Sequence, residues 1–189
     1  MIALRKNYRS SGKLVNVMNK AIKDMKMPDL ESVKEGETDM RLLNFGSESA
    51  EFEFVIQGIL SSNTPYKEII VLARTNRQLK ELSLKMKERG IKHVLRSDEL
   101  RRSVEAGEDE VTLATIHAIK GLEAETVFVI GCNSLNFPCK GSEHPVVDMV
   151  KVDEYDQEEE EKRLFYVAIS RARKNLYLTY SGTRPTYFI

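Results

Sequence analysis

The chain reads as a three-layer α/β domain, a mostly parallel sheet with helices on both faces. Three observations predict it. Short β-branched apolar runs alternate with stretches of helical periodicity along the whole chain, the pattern of βαβ units. Two of the runs, Ile69–Ala73 and Val111–Thr115, are apolar enough to be buried strands. A chain of 189 residues with 41% hydrophobic and 31% charged residues can bury one substantial core.

The elements follow in order. Residues 1–9 lead to Ser10 or Ser11, either of which can cap a helix carrying Leu14, Val15, Met18, Ala21 and Ile22 and ending before Pro28. Residues 28–39 are polar and read as a loop. Met40–Phe45 is a strand, and Gly46-Ser47 introduces a helix over 48–61 with Phe52, Val55, Ile56 and Ile59 on one face. Residues 63–65 break it. The strand over 68–73 leads to a helix over 76–89 bearing Leu79, Leu82, Leu84 and Met86, which Gly90 stops. Residues 91–95 read as a short strand and 96–109 as a charged stretch without an apolar face. Strands at 111–115 and 126–131 flank a polar turn, 139–156 reads as irregular, a helix spans 157–172 with Leu164, Val167, Ala168 and Arg171 along one side, and residues 176–180 close the chain as a strand.

Composition excludes several classes. The formal net charge is +0, so polyanion contacts must come from local patches, such as the basic residues between Arg171 and Lys174. Cys132 and Cys139 have no metal-ligand spacing, and no metal site is expected. No apolar run approaches the roughly 20 residues needed to span a bilayer. The first residues lack a signal-peptide core. A cytoplasmic protein with reduced thiols and no membrane partner is expected.

Four blocks carry chemistry. Asn7-Tyr8-Arg9-Ser10 sets an aromatic face, able to stack on a purine, beside a guanidinium fork able to hold phosphate oxygens. A surface Arg and a half-buried Tyr would read the same. Arg74 and Asn76 follow a strand end and can reach a phosphate backbone, or Arg74 can pair with a local carboxylate while Asn76 caps the helix. In the turn after 111–115, Thr115 and His117 can contact phosphates, and Glu123 can accept from a ribose hydroxyl. Lys120 can instead pair with Glu123 or Glu125. Arg171 near a helix C-terminus is either a dipole partner or a group that meets a phosphate.

Taken together, these blocks resemble UvrD/Rep/PcrA-type superfamily 1 DNA helicases, and the resemblance covers nearly the whole chain. The stretch Thr115-Ile116-His117-Ala118-Ile119-Lys120-Gly121-Leu122-Glu123 is similar to the family motif that joins nucleotide handling to single-strand handling. The resemblance implies a RecA-like (P-loop NTPase-like) fold. It implies that Tyr8 stacks on adenine and Glu123 takes the ribose. Arg9 contacts the γ-phosphate, and Arg171 acts as an arginine finger. It places Arg74, Asn76, Thr115 and His117 on single-stranded DNA. Lys162 stands where the family has Arg, and Ser170 where it has Thr.

A motor of this kind also needs a Gly-Lys-Ser/Thr loop and an acidic strand end for phosphates and Mg²⁺. Gly12-Lys13 is followed by Leu14, and no other Gly-Lys pair occurs. The chain is therefore expected to be a fragment, a single RecA-like C-terminal domain over 1–189 whose N-terminal Walker A/B domain lies elsewhere as its partner. ATP with Mg²⁺ would bind only in the two-domain protein, and the chain alone is expected to be inactive. The interval from Gly90 to Glu110, about twenty residues, is too short for the helical subdomain inserted in long relatives. A stand-alone, catalytically inactive nucleic-acid or protein binding module, or the helicase half of a helicase–nuclease, would be the alternatives.

Overall fold

The computed structural model describes residues 6–23, 25, 28–96, 106–119, 121–139 and 157–189. Most of the stretches read as charged (96–109) and irregular (139–156), and Lys120, lie outside the described residues.

Eight strands and four helices are described: β1 (Lys6–Ser11), α1 (Gly12–Ile22), β2 (Glu31–Lys34), β3 (Met40–Phe45), α2 (Glu48–Leu60), β4 (Ile69–Ala73), α3 (Asn76–Glu88), β5 (His93–Arg96), β6 (Val111–Thr115), β7 (Ala124–Val129), α4 (Gln157–Ile169) and β8 (Ala172–Ser181). Six strands form one sheet in the order β3-β8-β7-β4-β6-β5, with every adjacent pair parallel. Strand alternation splits the core in two. Ile70 and Leu72 of β4 enter the layer shared with Leu14 and Met18 of α1 and Phe165 and Ile169 of α4. Ile69, Val71 and Ala73 enter the layer shared with α2 and α3. That is the expected three-layer RecA-like arrangement. No helix among the described residues is long and apolar enough to cross a membrane.

Several details differ from expectation. The stretch at 28–39 is not all loop: β2 pairs in parallel with β1, a strand that the approach to α1 had hidden. Asn19 draws β2 in, donating from Nδ2 to the Leu30 carbonyl and accepting from its N–H. Leu84 of α3 is 61% exposed, because Leu79, Leu82 and Met86 already define the buried stripe. The buried stripe of α4 runs through Glu161, Phe165, Ala168 and Ile169, with Leu164 and Val167 at its margin. That helix stops at Ile169 because the Arg171 carbonyl already accepts from Ala124 N–H at the start of β7. Arg173 and Lys174, whose charge hid the first half of β8, reach Glu68 and Glu125.

The crossover from β6 to β7, residues 116–123, is shorter than the dozen or so residues usual between parallel strands. Ile116 and Ile119 bury themselves on the sheet and hold this connector flat.

Candidate functional site

The proposed nucleotide residues meet at the N-terminal ends of β7 and β8. Asn7 sets the geometry: its Oδ1 accepts from the N–H groups of both Arg9 and Ser10 at 2.9 Å, curling β1 around its own side chain. Ser10, fully buried, donates to the Ala172 carbonyl and fastens β1 to the start of β8. Arg9 is thereby carried to the end of α4. Its Nη1 donates to the Ser170 carbonyl, and its Nη2 lies 2.5 Å from Glu123 Oε1. Tyr8, one residue away on the strand, is 69% exposed, leaving a ring face open to solvent.

Arg171 folds back upon its own surroundings. Nε donates to the Val167 carbonyl (3.0 Å), Nη1 to the Leu122 carbonyl (3.3 Å) and Nη2 to Ser170 Oγ (3.2 Å). Burial holds its guanidinium below the usual range; Arg9 pushes the same way, and Glu123 and Tyr166 oppose. Tyr166, half-buried on α4, belongs to this cluster and was not singled out by sequence. Burial raises its phenol, and the charges of Arg171 and Arg9 act against that rise. Its neighbourhood depends on how β1 docks, which no local pattern encodes. Two guanidinium forks, a carboxylate acceptor and an open aromatic ring form a donor set that fits phosphates, a ribose hydroxyl and a purine.

The second group lies at the opposite, C-terminal ends of β4 and β6. Ala73 and Thr115 are register partners, and Ile116 N–H donates to the Ala73 carbonyl, so Arg74, Asn76, Thr115 and His117 share one end of the sheet. Arg74 is in an ion pair with a carboxylate distant in sequence: Nε contacts both oxygens of Glu161 and Nη2 lies 2.5 Å from Oε1. Thr75, not Asn76, occupies the N-cap position of α3. Thr115 is buried, and its Oγ1 accepts from Ala118 N–H, closing the turn that carries His117.

A buried polar knot adjoins this end. Glu51, at the start of α2, has no exposed surface; its Oε1 accepts from Gly131 N–H (2.7 Å) and Thr179 Oγ1 (2.6 Å). Burial raises its carboxyl above the ordinary value, and those two donors oppose the rise. Among the described residues no group of three His, Cys, Asp or Glu side chains could hold a metal ion.

Comparison with known proteins agrees with this architecture. The family model of the UvrD-like helicase C-terminal domain matches residues 2–99 and 89–183. DNA helicase II of Escherichia coli (strain K12) is 40% identical over 92 residues, covering 45% of this chain and 12% of that protein. The ATP-dependent DNA helicase PcrA of Leuconostoc citreum is 45% identical over 83 residues, covering 44% and 10%. The chain thus spans about a tenth of the length of the curated relatives it matches. A crystal structure of the C-terminal domain of a possible DNA helicase from Lactobacillus plantarum superposes with a TM-score of 0.62 at 19% identity, covering 96% of this chain and 91% of that one, a likeness of fold. With the family model matching almost from end to end, the chain belongs to the UvrD-like helicase C-terminal domain family.

Proposed function

We propose that this chain is the C-terminal motor half of an ATP-dependent DNA helicase or translocase, acting in the cytoplasm. It would work with an N-terminal RecA-like domain that supplies the Gly-Lys-Ser/Thr loop and the acidic strand end. The observation that carries this reading is the convergence of Arg9, Glu123 and the Arg171 region, from three segments far apart in sequence, on one sheet end.

In this reading Tyr8 offers its ring to the adenine. Glu123 accepts from the ribose hydroxyls, and its carboxylate pairs with Arg9 in the way a phosphate oxygen would. Arg171 leaves its three internal acceptors and, with Arg9, neutralises charge developing on the γ-phosphate. Mg²⁺ ligands are assigned to the N-terminal half. Arg74, Asn76, Thr115 and His117 hold the backbone of single-stranded DNA, and the connector 116–123 spans from His117 to Glu123, physically joining the two ends.

The test joins the chain to an N-terminal half carrying the missing loop and measures ATP hydrolysis with and without oligothymidylate. Strand-stimulated turnover should fall by about 10³ or more in Arg171→Ala. The chain by itself should show none; steady turnover by the isolated chain that Arg171→Ala abolishes would refute its assignment as half a site.

A further inference from the structure

At the end of the sheet that carries Arg74, a buried carboxylate paired directly with that arginine is not used by the reading above. Glu161 lies in the first half of α4, and its side chain is 5% exposed. A carboxylate this deep is costly unless hydrogen-bonded and paired. Glu161 is both. Arg74 Nε donates at 3.0 Å to Oε2 and lies 3.2 Å from Oε1, while Nη2 donates at 2.5 Å to Oε1. The Cys139 backbone N–H donates at 3.2 Å to Oε2. One carboxylate therefore ties together the β4–α3 loop, the turn that follows β7, and α4.

The contact is side-on. A guanidinium is planar with five N–H groups, and a carboxylate on the Nε–Nη2 edge fixes that plane. Glu161 cannot swing away with Arg74, because Cys139 holds it from another segment. The Arg74 side chain is 18% exposed, so the group whose plane is fixed still reaches the surface beside Asn76 and His117. Such a carboxylate can act in two opposite ways. As a mask it would cancel Arg74 and repel a phosphate. As a support it would hold Arg74 in the one orientation that meets a phosphate.

We propose that Glu161 is a positioning residue that orients the Arg74 guanidinium towards a phosphate of single-stranded DNA. Its side-on geometry and second anchor favour support over masking: a mask need only be near, whereas this carboxylate is also held by the Cys139 N–H, from a segment other than that of Arg74. The proposal rests on the strand-binding reading of Arg74.

The two roles predict opposite signs, so oligothymidylate affinity measured by fluorescence anisotropy across a salt series decides between them. For a positioning residue, Glu161→Gln weakens binding roughly tenfold, the scale of one charge-assisted hydrogen bond. It also makes the slope of log K against log salt shallower by about 0.7, the loss of one phosphate contact on a single strand. Glu161→Asp keeps the charge but withdraws the carboxylate by one methylene, and it weakens binding too. That second variant carries the test if the glutamine variant fails to fold, as judged by circular dichroism. Tighter binding or a steeper slope in Glu161→Gln makes Glu161 a mask and overturns the proposal. Wild-type affinity in both variants overturns it as well, while leaving the strand reading standing. Absence of oligothymidylate binding by the wild-type chain removes the strand reading and the proposal together.

Discussion

Gly131, two residues beyond β7, has φ +66°, in the left-handed region that glycine occupies without penalty. Its N–H points at Glu51, its carbonyl accepts from Asn136 Nδ2, and a Cβ there would overlap Gln78 Nε2 and lie 2.8 Å from Asn136 Nδ2. Gln78 is 1% exposed and has little room to retreat. Gly131→Ala should therefore lower the unfolding free energy by about 1–3 kcal/mol, read from urea denaturation. Glu51 has a different signature. Its folded-state affinity for a proton exceeds the unfolded one because burial disfavours the carboxylate. Between the ordinary value of 4.5 and the raised one, the folded chain binds more protons than the unfolded chain. Its contribution to stability is thus fullest at acid pH and is lost as pH rises through the raised value. Thermal melts of Glu51→Gln should show a smaller loss of stability across that window than wild type; an identical pH profile would mean that Glu51 does not titrate there. Neither residue was legible from sequence. Glu51 sits on an amphipathic helix where a glutamate reads as solvated, and only the ends of β7 and β8 bury it.

At the scale of elements, helices with their own local signals were read well. Ser47 N-caps α2, its Oγ accepting from Ala50 N–H at 3.2 Å, and Glu48 and Glu51 occupy the favourable first turn. Ser47→Ala should cost about 1 kcal/mol in chemical denaturation. In α4 the expected face was rotated, because Leu164 and Val167 look as apolar as Phe165 and Ile169. The structure chooses Phe165, which meets Phe137 edge-on at 5.5 Å and Phe188 at 5.9 Å. Phe137 and Phe188 arrive from distant segments, so the register of α4 is a tertiary outcome. Phe165→Ala should cost about 3–5 kcal/mol, whereas truncating the exposed Leu84 of α3 should be close to neutral by the same measurement. The strands β1 and β2 escaped notice for a related reason. Most of their residues are polar and partly exposed, so no apolar alternation marks them, and Asn7 and Asn19 supply side-chain hydrogen bonds in its place.

Across the whole molecule, charge is balanced globally and segregated locally. The resemblance in four short blocks anticipated the fold, and the structure brings Arg9 and Glu123 of two separate blocks together, whereas other partners, Glu161 for Arg74 and the Leu122 carbonyl for Arg171, come from chain segments that only folding brings near. The remaining acceptors of Arg171, Val167 and Ser170, are its own neighbours at the end of α4. The two groups sit at opposite ends of parallel strands of five or six residues, which separates them by about 17–20 Å. That exceeds the Debye length of about 8 Å at physiological salt, so Arg9 and Arg171 add little to the field a DNA strand meets at the other end. With a formal net charge of +0 there is no global attraction to substitute for local contacts. Of Arg74, Asn76, Thr115 and His117, only Arg74 is permanently charged and only His117 can join it. Counterion release should then be small: log K against log salt for oligothymidylate should slope between about −0.7 and −1.4, one or two phosphates at the single-strand coefficient. Anisotropy titrations at several salt concentrations give that slope directly. A slope of about −3 or steeper would require cations outside these four residues, and the strand would have to run over a different face of the sheet.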